Sequence, residues 1–229
     1  MNAMPSPAAL LPGLDLPVPA HDPGGKVRLA LPPGVRSRAV FSPDMVHRYE
    51  LERVWEDDPG PLPLFLLCNP STADLQWDDP TNFRVRMIAT GWGYGGYALG
   101  NFFGYRLTEM EALRAVADPV GPENVERVLR MAREAHIVII GHGRLPGGKR
   151  GALVKHAREL VGELQAQGTR LHVLRESEDG NPWHPLFLPV SSKPLAWGGY
   201  RQFPAGRIFW PAQPETIQWL EPITSWPKP

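Results

Sequence analysis

The chain of 229 residues is long enough for one substantial α/β domain, and a globule of that size buries roughly 70–75% of its extended surface. Apolar residues at 42% and charged residues at 21% exclude wholesale disorder, and 24 basic side chains against 24 acidic ones exclude the strongly cationic footprint of a histone-like binder. A single cysteine, Cys68, excludes an internal disulfide or a cysteine-rich zinc module.

A reducing, cytoplasmic setting is expected. Neither membrane insertion nor export is expected either, because no run of about 18 apolar residues and no basic-then-apolar leader is present. Prolines crowd both ends, so residues 1–36 read as a Pro-rich leader, residues 37–190 as the folded α/β domain, and residues 191–229 as a Trp/Pro-rich wrap. Trp197, Trp210, Trp219 and Trp226 carry too much apolar area to remain wet, which is why this last stretch is expected to lie on the domain.

Ser37 to Trp55 alternates polar with apolar around Ser42-Pro43-Asp44, which predicts an antiparallel hairpin. Four unbroken apolar runs follow: Leu64 to Cys68, Tyr97 to Phe103, Ile137 to Gly141 and Leu171 to Leu174. Runs of this length suit strands covered on both faces, as in parallel sheets. Between them, Asp79-Pro80 predicts a capped helix start with Phe83, Met87 and Ile88 as its buried face. Thr108 with Glu111 predicts a capping box ahead of Leu113 and Val116. Pro122 starts a helix with Val125, Val128, Leu129 and Ala132 at three-and-four spacing, and a last one carries Leu153, Ala157, Leu160, Val161 and Leu164 up to Gly168. Alternating strands and helices predict a three-layer α/β/α sandwich with a four-stranded parallel sheet.

In such a sheet, ligands bind where loops leave the carboxyl ends of the strands. Those loops hold Asn69-Pro70-Ser71-Thr72-Ala73-Asp74, Asn101, Gly141-His142-Gly143 and Pro182-Trp183-His184-Pro185. Asn69-Pro70-Ser71 also reads as an ordinary turn, Asn101 as a satisfied structural amide, and His184 as a packed rim histidine. The segment from Gly143 to Arg150 has the glycine and lysine spacing of a phosphate loop, making Gly143, Lys149 and Arg150 candidate phosphate-binding residues. Arg150 stands where such a loop needs a magnesium-holding hydroxyl. Glycines in Gly91-Trp92-Gly93-Tyr94-Gly95-Gly96-Tyr97 permit close approach of the backbone to a ligand or simply a tight connection. Seven scattered histidines give no metal-ligand spacing, and no nucleophile elbow occurs, so neither a metal nor another cofactor is implied.

The strings NPSTADLQWDDPTNFR, WGYGG with Asn101-Phe102-Phe103, DPVGPEN and Gly-Asn-Pro-Trp-His-Pro-Leu resemble an uncharacterised bacterial and phage family, domain-of-unknown-function family 1643, over roughly Tyr49 to Leu188. More distantly, the placement of these signals is similar to the uracil-DNA glycosylase superfamily. That resemblance implies a DNA base glycosylase on a three-layer sandwich. Asn69 and His184 would be catalytic, with Asp74 supplying a carboxylate, and Ser71 would sit in the first motif. Phe83 or Phe102 would stack on the base, and Asn101 would read its edge. Leu186 departs from the small polar residue expected after His184-Pro185.

Three functions remain open on the sequence: a glycosylase acting in DNA repair or base modification, a non-catalytic nucleobase or nucleotide binder, and a phosphate-loop nucleotide enzyme. DNA or a nucleotide is the expected partner, with no membrane and no obligate protein partner.

Overall fold

A computed structural model describes residues 28–147 and 151–200. The predicted hairpin is β2 (Arg36–Phe41) against β3 (Arg48–Val54), antiparallel with a bulge between Val40 and Phe41. The four apolar runs are β4 (Pro63–Leu67), β6 (Gly96–Asn101), β7 (Ile137–Ile140) and β8 (Leu171–Val173). β4 pairs in parallel with both β6 and β7, and β7 pairs in parallel with β8. The expectation of a four-stranded, all-parallel sheet is corrected by the strands that flank them. β3 joins β6 antiparallel, and β9 (Leu195–Ala196) joins β8 antiparallel, so the sheet is mixed and seven-stranded in the order β2-β3-β6-β4-β7-β8-β9. A separate short ladder pairs β1 (Leu29–Ala30) with β5 (Trp77–Asp78).

Helices cover both faces. α1 (Pro80–Gly91) starts as its sequence dictates: Asp79 caps it, with Oδ1 accepting from the Asn82 N–H at 2.8 Å, and Pro80 occupies the first turn where no N–H is needed. Its buried face differs from the expected one. Val85, Ile88 and Ala89 pack on the sheet, whereas Phe83 and Met87 are 46% and 41% exposed. With Leu51, Phe65, Leu67, Tyr97 and Leu99 they form one core layer.

α2 (Asn124–Glu134) and α3 (Ala152–Ala166) build the other, with Val128, Met131, Leu153, Ala157, Leu160 and Leu164 packed on Leu64, Leu66, Val138 and Ile140. Full burial of aliphatic side chains on both faces is worth roughly 1.5–3 kcal/mol each, which explains the unbroken apolar strands. The helix expected after Thr108 is instead a 3₁₀ turn, Met110–Ala115, in which only Leu113 is buried. At the C-terminal side, Trp197 is buried beside β8; Trp210, Trp219 and Trp226 lie outside the described residues.

Candidate functional site

The chain leaves β4 toward α1 on one face and β7 toward α3 on the other. Loops from these neighbouring carboxyl ends therefore diverge, and open α/β sheets hold ligands at such a point.

At the end of β4, Asn69 donates its amide to the Leu107 carbonyl at 2.7 Å and to that of Pro70 at 3.1 Å, while the Leu107 N–H returns to the Pro70 carbonyl at 2.9 Å. This reciprocal pair staples two rim loops together. Ser71 is half-buried in the same turn. Asp74 caps its own turn, with Oδ1 accepting from the N–H groups of Gln76 and Trp77 at 2.8 and 3.0 Å.

At the end of β6, Asn101 is 2% exposed and lies on the same face as Tyr97 and Leu99, toward α1. Its Oδ1 faces the Arg48 guanidinium, with Nη2 at 3.5 Å. A guanidinium has donors only, so the amide oxygen is the atom turned to it and the NH₂ is left over. The NH₂ is the end of the amide that the Arg48 contact does not use. Arg48 is itself buried, and its Nη1 donates to the Ala73 carbonyl at 2.6 Å. Burial pulls its pKa down to about 10, against the nearby Asp79 carboxylate, so it keeps its charge at neutral pH.

Phe102 points the opposite way from Asn101. It is fully buried on the α2/α3 face and meets the His142 ring edge-on at 5.1 Å, so the strand's alternation separates it from the base-reading candidate. Phe83 sits on the outer face of α1 with the Arg86 guanidinium 5.4 Å above its ring.

His184 follows the last parallel strand and caps the short 3₁₀ turn Pro185–Phe187. Its Nδ1 accepts from the Leu186 N–H at 3.3 Å, which leaves the proton on Nε2. Burial pushes its pKa down to about 4, opposed by Asp79, so the ring is neutral near pH 7 and offers Nε2–H as a donor. The backbone N–H of Gly143, at φ +71, donates to the Pro182 carbonyl at 3.1 Å, which removes it from the groups free to hold a phosphate. Lys149 and Arg150 lie outside the described residues.

Asp79, the cap of α1, thus lies within electrostatic reach of both Arg48 and His184, and Arg48 in turn touches Asn101. Sequence reasoning did not single out Arg48, because an arginine in an alternating strand reads as solvent-facing. It also missed the pair of His142 and Tyr200. His142 Nδ1–H donates to the Gly143 carbonyl at 2.6 Å, and its Nε2 accepts from the Tyr200 hydroxyl at 2.6 Å. Burial pulls the His142 pKa down to about 4 and raises that of Tyr200, so both groups stay neutral. The glycine-rich connection before β6 approaches protein rather than a ligand: a Cβ on Gly96 would lie 2.7 Å from the Arg53 carbonyl.

Residues 48–186 match the family described as Protein of unknown function (DUF1643). The chain belongs to that family. The DUF1643 region runs from Arg48 in β3 to Leu186 beside His184, and so takes in every residue of the rim cluster. No curated protein and no solved structure matches the chain. Among the described residues, no helix is long and apolar enough to cross a membrane.

Proposed function

We propose that the rim holds a nucleobase, and that this chain is a uracil-DNA glycosylase-like protein hydrolysing the N-glycosidic bond. The observation that carries this reading is the donor pair at one end of α1: neutral His184 with its proton on Nε2, and Asn101 with its NH₂ left over by Arg48. Two neutral donors suit a base edge that carries two carbonyl oxygens, as uracil does. The run of four mutually parallel strands, β6-β4-β7-β8, with helices on both faces supports the same reading.

Hydrolysis adds a hydroxyl from water to the sugar C1′ and a proton to the departing base, with the bonding electron pair leaving on the base. Negative charge grows on the base oxygens as the bond stretches, and a preorganised neutral donor such as His184 Nε2–H stabilises it in a site with little water. In this reading Asn101 holds the base in register by donating from its NH₂ to a base oxygen.

The test is incubation with oligonucleotides bearing uracil, hypoxanthine, xanthine or an oxidised pyrimidine, scored for abasic sites. Uracil release that falls at least a hundredfold in His184→Ala supports the reading. No abasic product from any substrate ends it.

A second reading is a nucleobase binder without catalysis. It is favoured by the rim's first loop, where the Asn69 NH₂ is spent on Leu107 and one oxygen of the Asp74 carboxylate on its own turn. Base binding with no bond cleavage in the same assay selects it.

A further inference from the structure

The surface beside His184 departs from the neutral average of the chain. Residues 184–192 run alongside α1: Asp79 at the start of α1 lies near His184, and the Trp92 indole N–H at its end donates to the Ser192 carbonyl at 2.9 Å. Leu188 points inward to the core between them. Outward, these two co-running pieces expose Phe83 at 46%, Met87 at 41%, Phe187 at 72% and Val190 at 41%. Large apolar side chains left wet in one place mark an interaction site.

The charge on these pieces has one sign. Across residues 80–91 and 183–200 the basic side chains are Arg84, Arg86 and Lys193, and there is no aspartate or glutamate. Aromatic rings and cations are also paired. Arg86 lies over Phe83 at 5.4 Å, Arg175 over Trp183 at 4.4 Å, and Phe187 packs against the His184 ring at 6.0 Å. A lipid surface or an apolar protein face would account for the exposed rings but not for the guanidinium groups set over them. A polyanion with free aromatic faces accounts for both.

We infer that the α1 surface and the segment 184–192 form a platform for single-stranded DNA, delivering an unpaired base to the His184 rim. The inference rests on the nucleobase reading for its choice of DNA, and it adds that the strand is single. Rings such as Phe187 can stack only on bases whose faces are not covered by neighbours, whereas a duplex offers phosphates alone. α1, at about 18 Å, is long enough to seat several nucleotides.

The experiment uses the full chain and a fluorescently labelled 15-nucleotide DNA containing only the four ordinary bases, single-stranded or annealed, with binding read by anisotropy across a salt series. The expected result is at least tenfold tighter binding of the single strand. Phe187→Ala should weaken it about five- to hundredfold without changing the far-ultraviolet circular dichroism. Phe83→Ala should act in the same direction, and Arg84→Ala should lower the slope of log affinity against log salt by about one. Equal or tighter binding of the duplex overturns the inference, as does unchanged affinity in both phenylalanine variants. Self-association that is lost in Phe187→Ala overturns it too, assigning the patch to a second copy of the chain. Grip on single strands without base release would end the glycosylase reading alone, and base release with duplex preference would end this inference alone.

Discussion

Arg48 on β3 and Asn101 on β6 meet across neighbouring antiparallel strands, guanidinium to amide oxygen, in a place where neither reaches bulk water. The contact turns the amide oxygen toward the guanidinium. Replacing Arg48 with Met removes the donor and lets the Asn101 amide turn either way. The ratio of the dissociation constants for cytosine and uracil, measured by calorimetry, should collapse by about tenfold toward unity. An unchanged ratio would contradict the assignment of Arg48 as the group that orients Asn101.

His142 and His184 both ionise less readily in the fold than in the open chain, and burial is the main cause for each. Between about pH 4 and pH 6.5 the unfolded chain therefore binds more protons than the folded one. Stability is fully present above pH 6.5 and is lost progressively as the pH falls toward 4. For His142, which is 1% exposed, the loss amounts to roughly 3 kcal/mol. Urea midpoints measured across this window should fall steadily in the native chain and less steeply in His142→Gln. A flat profile in the native chain would show that the ring is not held neutral.

Much of the framework was legible in the sequence because it rests on burial. Leu64 to Cys68 and Ile137 to Gly141 read as strands covered on both faces, and α3 showed every one of its five buried positions by spacing alone. What failed did so for local reasons. Phe83 and Met87 share a face of α1, but the core selects the face of Val85 and Ile88, leaving the larger side chains outside. After Thr108 the sequence predicts an α-helix, whereas Met110–Ala115 tightens into a 3₁₀ turn. At the site, Asn101 and His184 were visible as polar residues at strand ends, while Arg48 and Tyr200 acquire meaning only through partners 53 and 58 residues away.

Arg53 and Asp78 form an ion pair at 3.0 Å with side chains 0% and 1% exposed. Burial raises the Asp78 pKa and the Arg53 guanidinium opposes the rise. Removing one partner strands the other charge away from water, so Asp78→Ala should cost about 3–5 kcal/mol in unfolding free energy. The double variant Arg53→Met/Asp78→Leu should recover most of that loss. Equal destabilisation in the single and double variants would mean that Arg53 has other work, since it also donates to the Ser37 hydroxyl and the Asp74 and Trp77 carbonyls.

Gly96 opens β6 where its backbone passes close to β3. A methyl group there would meet the Arg53 carbonyl at 2.7 Å and the Leu62 side chain at 2.9 Å. Two strands cannot separate without disturbing the ladder beside them, so Gly96→Ala should lower the unfolding free energy by about 1–3 kcal/mol in chemical denaturation. Gly162, whose Cβ position is open, is the control and should tolerate alanine with no loss.

The most direct measurement is calorimetric titration of free uracil into the full chain and into Asn101→Ala, His184→Ala and the double variant. The expected result is binding that weakens in each single variant, with cytosine bound at least tenfold more weakly than uracil by the native chain. Uracil held equally well by all four proteins, or cytosine preferred, would show that the Asn101 amide and the His184 imidazole do not address one base.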